Sequence, residues 1–223
     1  MSLRKAWPAG LWLVQALLAL SLLAFAPAAQ AQDNAPDKAR DWARDWAGLQ
    51  QAGEGIQTLA ADFVQEKHLK FLTKPLLSQG KVYYQAPDEI RWEFTSPLAT
   101  VTILKGGGVS RYVKTDGVWR EDSPQAAAGL GAMLQEMRLW MSGRFSPDSP
   151  FHPTLEPGPP PRIVLTPGPE LAKFVGQVVL FPGPRPGVMD RVEIAEYDQS
   201  QTVIRFENVR LNQPLPPEIF AKP

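Results

Sequence analysis

Two histidines, His68 and His152, are the only imidazoles in this chain of 223 residues, and it has no cysteine. Those counts bound the available chemistry. Without thiols there can be no disulfide scaffold, thiolate zinc site, cysteine nucleophile or iron–sulfur cluster. Two histidines so far apart in sequence cannot build a three-histidine metal site, and both read as surface residues. Asp88-Glu89 is a carboxylate pair, but it follows Pro87 at a strand entrance, where a turn accounts for it. Gly129-Leu130-Gly131 lacks the third glycine of a dinucleotide fingerprint, and no strand precedes it. No G-x-S-x-G, H-E-x-x-H or phosphate loop occurs. A catalyst needs a constellation of nucleophile, base or metal ligands. None is visible, so the expectation is a non-enzyme with no catalytic residue, no metal and no cofactor.

Large, soft apolar groups stand out instead. Leu130, Met133, Leu134, Met137, Trp140 and Met141 fall at helical spacing on one face, between Ser123-Pro124 and Gly143. Methionine adapts its shape and recurs on surfaces that accept variable apolar ligands. Periodicity alone leaves that face open between a binding surface and an ordinary core helix. Charge is balanced, with 23 Lys+Arg against 23 Asp+Glu. That argues against a nucleic-acid binder, which would carry a basic excess or a clustered basic face.

The start of the chain reads as an address. Arg4 and Lys5 precede an apolar run from Leu11 to Phe25, which is short for a membrane span. Ala29-Gln30-Ala31 then offers small residues where signal peptidase cuts. The expectation is a cleavable signal peptide over 1–31 and a mature protein from Gln32; the alternative is an uncleaved anchor helix. No cysteine follows the run, so no lipid can be attached through one.

The remaining residues read as the frame for the apolar face. Residues 36–52 are expected to form a helix, with Trp42, Trp46 and Leu49 in one stripe and a stop at Gly53 and Gly55. From Ile56 the period becomes two, with Leu59, Ala61 and Phe63 on one side. Further strands are expected from Ser78 to Gln85 and through Ile90, Trp92 and Phe94, which share one face while Arg91 and Glu93 take the other. Thr100–Leu104 leads through Gly106-Gly107-Gly108 into Val109–Val113, and Asp116-Gly117 signals a hairpin before Val118-Trp119-Arg120. Connections this short require antiparallel pairing. Residues 147–169, dense in proline, read as an extended, turn-rich passage. Strands resume at Phe174–Phe181, Met189–Tyr197 and Gln201–Arg210. With no repeat and no linker, residues 32–223 are expected to form one domain, mainly β with α.

The order of these pieces is recognisable. A helix leads into a strand ending Asp62-Phe63-Val64-Gln65; Gly80 opens the next; Pro87 stands four residues before Arg91-Trp92. Asp116-Gly117 with Trp119, the Met/Leu-rich helix, and Phe206-Glu207-Asn208-Val209-Arg210-Leu211-Asn212 with Phe220 follow. Over about residues 36–220 this resembles the LolA family, periplasmic carriers of outer-membrane lipoproteins in Gram-negative bacteria. The resemblance implies an incomplete, strongly curved antiparallel β-barrel, a half-barrel covered by helices, with acyl chains held between sheet and helices. It assigns the cavity to Phe63, Ile90, Trp92, Phe94, Leu130, Met133, Leu134, Met137, Trp140 and Met141.

Family carriers commonly have an arginine directly before the proline that opens the third strand, where it latches the lid. Here that position is Ala86. Arg91 lies on the other side of the proline, so the role does not transfer to it. The cargo therefore stays open between acylated lipoprotein and another hydrophobic lipid of the envelope. The implied partners are an inner-membrane exporter and an outer-membrane receptor, met transiently by a periplasmic monomer that binds no nucleic acid. The alternative is a lipoprotein or lipid sensor, or binding module, acting through a partner protein.

Overall fold

The computed structural model describes residues 41–145 and 149–223; in the long helix it leaves out the side chains of residues 126, 128–130 and 132. The described residues belong to one compact unit. The expected leader, its cleavage site and the first residues of the expected first helix lie outside the described residues. Among the described residues, no helix is long and apolar enough to cross a membrane.

Helix α1 runs Trp46–Glu54, not from residue 36. Its start is set by Asp45, whose carboxylate accepts the Gly48 N–H at 2.7 Å and caps the first turn. Trp42 therefore precedes the helix, where its indole N–H donates to the Gly183 carbonyl at 3.1 Å. Leu49 is buried, whereas Trp46 is partly exposed and packs on Phe145.

Eleven strands follow: β1 (Thr58–His68), β2 (Leu76–Gln85), β3 (Glu89–Ser96), β4 (Thr100–Lys105), β5 (Gly108–Thr115), β6 (Val118–Glu121), β7 (Phe151–Glu156), β8 (Arg162–Pro167), β9 (Val175–Pro182), β10 (Met189–Glu196) and β11 (Gln201–Leu211). They form one sheet in the order β6-β5-β4-β3-β2-β1-β11-β10-β9-β8-β7. Neighbours pair antiparallel throughout, as the short connections require. Edges β6 and β7 do not meet, so the sheet is an open, curved half-barrel, the architecture expected from the sequence. The residues that join those two edges in sequence include helix α2 (Pro124–Met141), which lies against β4 and β5.

The passage over 147–169 is more regular than its prolines led us to expect, since β7 and β8 lie within it. Proline cannot donate to a ladder, but an edge strand has one unpaired side. Pro153 occupies such an edge in β7, paired in register with Leu165.

The main core lies on one face of the sheet. Phe63, Val82, Tyr84, Ile90, Trp92 and Leu104 are buried there with Leu134 and Trp140 of α2. Arg91 and Glu93 point to the opposite face and form an ion pair at 2.9 Å. Strand β4 is apolar on both sides because Val101 and Ile103 join Tyr112 and Trp119 in a second cluster. The C-terminal segment packs on the strands at this end of the sheet. Arg91 donates to the Ile219 carbonyl at 3.2 Å, and Lys222 meets Glu121 at 3.2 Å.

Candidate functional site

Helix α2 ends where it does because of Gly143. That residue has φ +68°, and its N–H returns to the Trp140 carbonyl while the Arg144 N–H returns to Leu139. This is a Schellman closure, with glycine in the left-handed position. It holds the last helical turn, with Met137, Trp140 and Met141, over the sheet.

Under that turn lies an apolar cavity of about 580 Å³, counted to its opening into solvent. The part of it that a water-sized sphere can occupy is about 60 Å³, below the roughly 300–1,000 Å³ of small-molecule sites. Met137, Trp140 and Met141 form its helical wall. Leu59 and Ala61 of β1 and Val82 of β2 form one part of its floor. Leu180, Met189, Val192, Phe206 and Val209, from β9, β10 and β11, form the other, and Gly187-Val188 close the side. Neighbouring strands point the same way at paired positions, so Val82 opposite Ala61 and Val192 opposite Ile204 face one interior. No lining residue is charged. Met137, Met141 and Met189 are only partly buried, so three thioethers reach the space from opposite walls.

Close by, Arg138 has its Nε buried with no hydrogen-bond partner among the described residues. Burial lifts the Tyr84 phenol above its ordinary pKa; Arg144 and Arg138 pull it down and Asp88 adds to the rise. The site offers apolar burial and soft contacts, and no proton-transfer pair. Among the described residues, no group of three or more His, Asp or Glu could hold a metal ion. His68 and His152 are both exposed.

The ten residues expected at the site divide into distinct places. Met137, Trp140 and Met141 line the cavity. Phe63, Ile90, Trp92 and Leu134 are buried in the adjoining core, with the Phe63 and Trp92 rings stacked at 4.3 Å. Phe94 and Met133 are partly buried against that core. Leu130 falls on α2, but its side chain lies outside the described residues. Phe206 joins the two groups: it lines the cavity and meets Trp92 edge-on at 6.3 Å.

Sequence reasoning missed the contribution of β9, β10 and β11. Their alternation marked them as strands, and Met189 was a signal, being another methionine beside an apolar run. Their place opposite α2 follows from β1 pairing with β11, across more than a hundred intervening residues. Ala86, at the family's arginine position, is partly buried against the core, its N–H donating to the Gln57 carbonyl at 2.8 Å.

Residues 54–127 match the family described as outer membrane lipoprotein carrier protein LolA. Over this stretch, which includes Leu59, Ala61 and Val82, the chain is LolA-like; the α2 wall and the last three strands lie beyond it. A search of curated proteins finds no match. Among solved structures, the chain is similar to a DUF1329 family protein from Desulfovibrio piger ATCC 29098, at 14% identity and TM-score 0.45, covering 83% of this chain and 97% of that one. A LolA superfamily protein from Nitrosomonas europaea is 12% identical at TM-score 0.42, covering 79% and 97%. The Pseudomonas aeruginosa MucA/MucB complex contains a chain 16% identical at TM-score 0.38, covering 81% and 61%.

Proposed function

We propose that this protein is a periplasmic carrier. It takes the acyl chains of a lipoprotein, or of a similar hydrophobic envelope molecule, into the apolar cavity and conveys them from the inner toward the outer membrane. The observation that carries this reading is the cavity, walled by Met137, Met141 and Met189 and free of charge. The family match over residues 54–127 supports it from the strand side. Burying a methylene is worth roughly 0.8 kcal/mol, so a chain of about sixteen carbons represents a gross gain of about 12 kcal/mol. A shuttle that releases cargo without a fuel at the site must hold it loosely and pass it to a receptor that binds better. Pliable methionines suit that compromise better than a rigid aliphatic wall.

The test is displacement of a fluorescent fatty acid, read beside thermal melting, in Met137→Asp and Trp92→Ala. A charge at Met137 can stay hydrated at a partly open cavity, so that variant should fold and lose probe binding. Trp92 is core, so Trp92→Ala should lower stability by about 3–5 kcal/mol. Unfolding of Met137→Asp would make α2 an ordinary core helix, and undiminished probe binding in that variant would remove this wall from the site. Purification from the periplasm should yield bound lipid or lipoprotein. A stable protein partner in its place would support the sensor reading.

A further inference from the structure

The large apolar side chains that this fold leaves in water gather at one end of the sheet. In the loop between β1 and β2, Phe71 is 80% exposed and Leu72 is exposed with it, and Leu76 and Leu77, the first residues of β2, are exposed beside them. Strand register brings other turns to the same end. Gln79 pairs with Ser96 and Thr100 with Val113, so the β3–β4 turn bearing exposed Leu98 stands beside that loop. Thr115 pairs with Val118, placing exposed Val118 beyond it. On the other side His68 pairs with Gln201, and the Tyr197 N–H donates to the Phe174 carbonyl at 3.2 Å, which brings two exposed aromatics to the same rim. Among the described residues, Trp46 is the one other large apolar side chain so exposed.

The charges at this end are sorted. The β1–β2 loop carries Lys70 and Lys74 and no acid. Among the described residues neither lysine meets a carboxylate, whereas nearby acids are engaged. Glu66 meets His68 at 3.3 Å and Arg205 at 2.8 Å, and Glu196 meets Lys67 at 3.1 Å. Asp198 accepts the Ser200 N–H at 2.9 Å, and Glu170 meets Lys173 at 3.5 Å. Among the described residues Asp116, in the β5–β6 turn, is the remaining acid, and it stands two residues from Lys114.

From this rim we propose that the protein docks on an anionic lipid bilayer. The tips of the β1–β2 loop and its neighbouring turns enter the headgroup region, and Lys70 and Lys74 meet lipid phosphates. Adjacent hairpins lie about 10 Å apart, so the apolar groups are separate tips and not one continuous face. A stable protein interface needs about 800 Å² of contiguous, well-packed surface per partner and is depleted in lysine at its centre. An interfacial lipid layer asks for apolar groups entering about 5–10 Å, with lysines at headgroup level. The rim matches the second description. It stands apart from the cavity, whose Leu59 and Met189 belong to the other end, where Thr58 pairs with Gln85.

The absence of cysteine allows a local test in the full chain. Thr73→Cys, in the exposed loop, and Gln213→Cys, at the opposite end, would each carry a polarity-sensitive fluorophore. With phosphatidylglycerol vesicles the label at 73 should shift to the blue, while the label at 213 should not. Lys70→Glu with Lys74→Glu should weaken the vesicle dependence of that shift by about tenfold or more, and Phe71→Ser with Leu72→Ser should abolish it. None of these changes should alter fatty-acid probe binding, and Met137→Asp should leave the shift intact, so the two readings fail separately. An equal shift with phosphatidylcholine, an equal shift at 213, or no shift at 73 would each overturn the proposal; in the last case the rim would be left to a protein partner.

Discussion

At the residue scale, two positions carry consequences that extend beyond their own side chains. Gly80 lies opposite Phe63, and a Cβ there would run into both the Phe63 ring and the Glu93 carbonyl. The bare backbone lets that ring lie flat over β2 and stack on Trp92. Gly80→Ala should therefore cost about 1–3 kcal/mol in urea unfolding. Phe63→Leu in the same chain should recover part of that cost, because the two sites share one space. Tyr84 gives a pH signature. Burial raises its pKa in the folded state, so its contribution is complete below the ordinary value of 10.0 and is lost as pH rises through the folded value. Stability measured from pH 8 to 11 should fall on the alkaline side, and Tyr84→Phe should flatten that limb; an identical slope in the variant would remove Tyr84 as its cause. Both residues show how much of the residue scale was legible. Gly80 opening a strand, and the shared face of Ile90, Trp92 and Phe94, could be read along the chain. That Phe63 covers Gly80 could not, because it depends on which strand lies alongside.

At the element scale, α2 and α1 depend on each other through their ends. The left-handed Gly143 that closes α2 sits against α1, where a Cβ would meet the Leu49 carbonyl and the Gln50 Cα at 2.7 Å. Left-handed backbone alone costs a non-glycine residue roughly 1–2 kcal/mol. Gly143→Ala should exceed that, because both obstacles are backbone and cannot swing aside. It should also weaken fatty-acid binding, since the displaced turn carries Trp140 and Met141. Gly108→Ala, with only the Lys105 carbonyl at 3.6 Å and no positive φ, is the control expected to stay near the parent stability. Differential scanning calorimetry with probe titration would read both effects. Sequence patterns placed α2 almost to the residue because proline and glycine bracket a 3.6-residue period. They misplaced the start of α1, since the side chain of Asp45 decides it and the apolar stripe runs on past the cap.

At the scale of the whole molecule, the proposed cycle starts with export, and mass spectrometry of the periplasmic protein should find its N-terminus at Gln32. A species starting at Met1 would instead favour the anchor reading. The sheet end with Phe71, Lys70 and Lys74 and the cavity under Met137 and Met141 are separate features of one half-barrel. By itself the sequence determined the strand alternation, the antiparallel hairpins, the long apolar helix and the poverty of catalytic groups. Each of these is local: a period, a turn dipeptide or a residue count can be read without knowing what lies across the fold. One passage needed tertiary context: residues 147–169, dense in proline, read as extended and turn-rich, and the fold makes the strands β7 and β8 within them. Proline reads as a breaker until its strand is known to be an edge. Which walls enclose the cavity was decided by the pairing of β1 with β11, a contact between residues more than a hundred positions apart, and no local pattern carries that register.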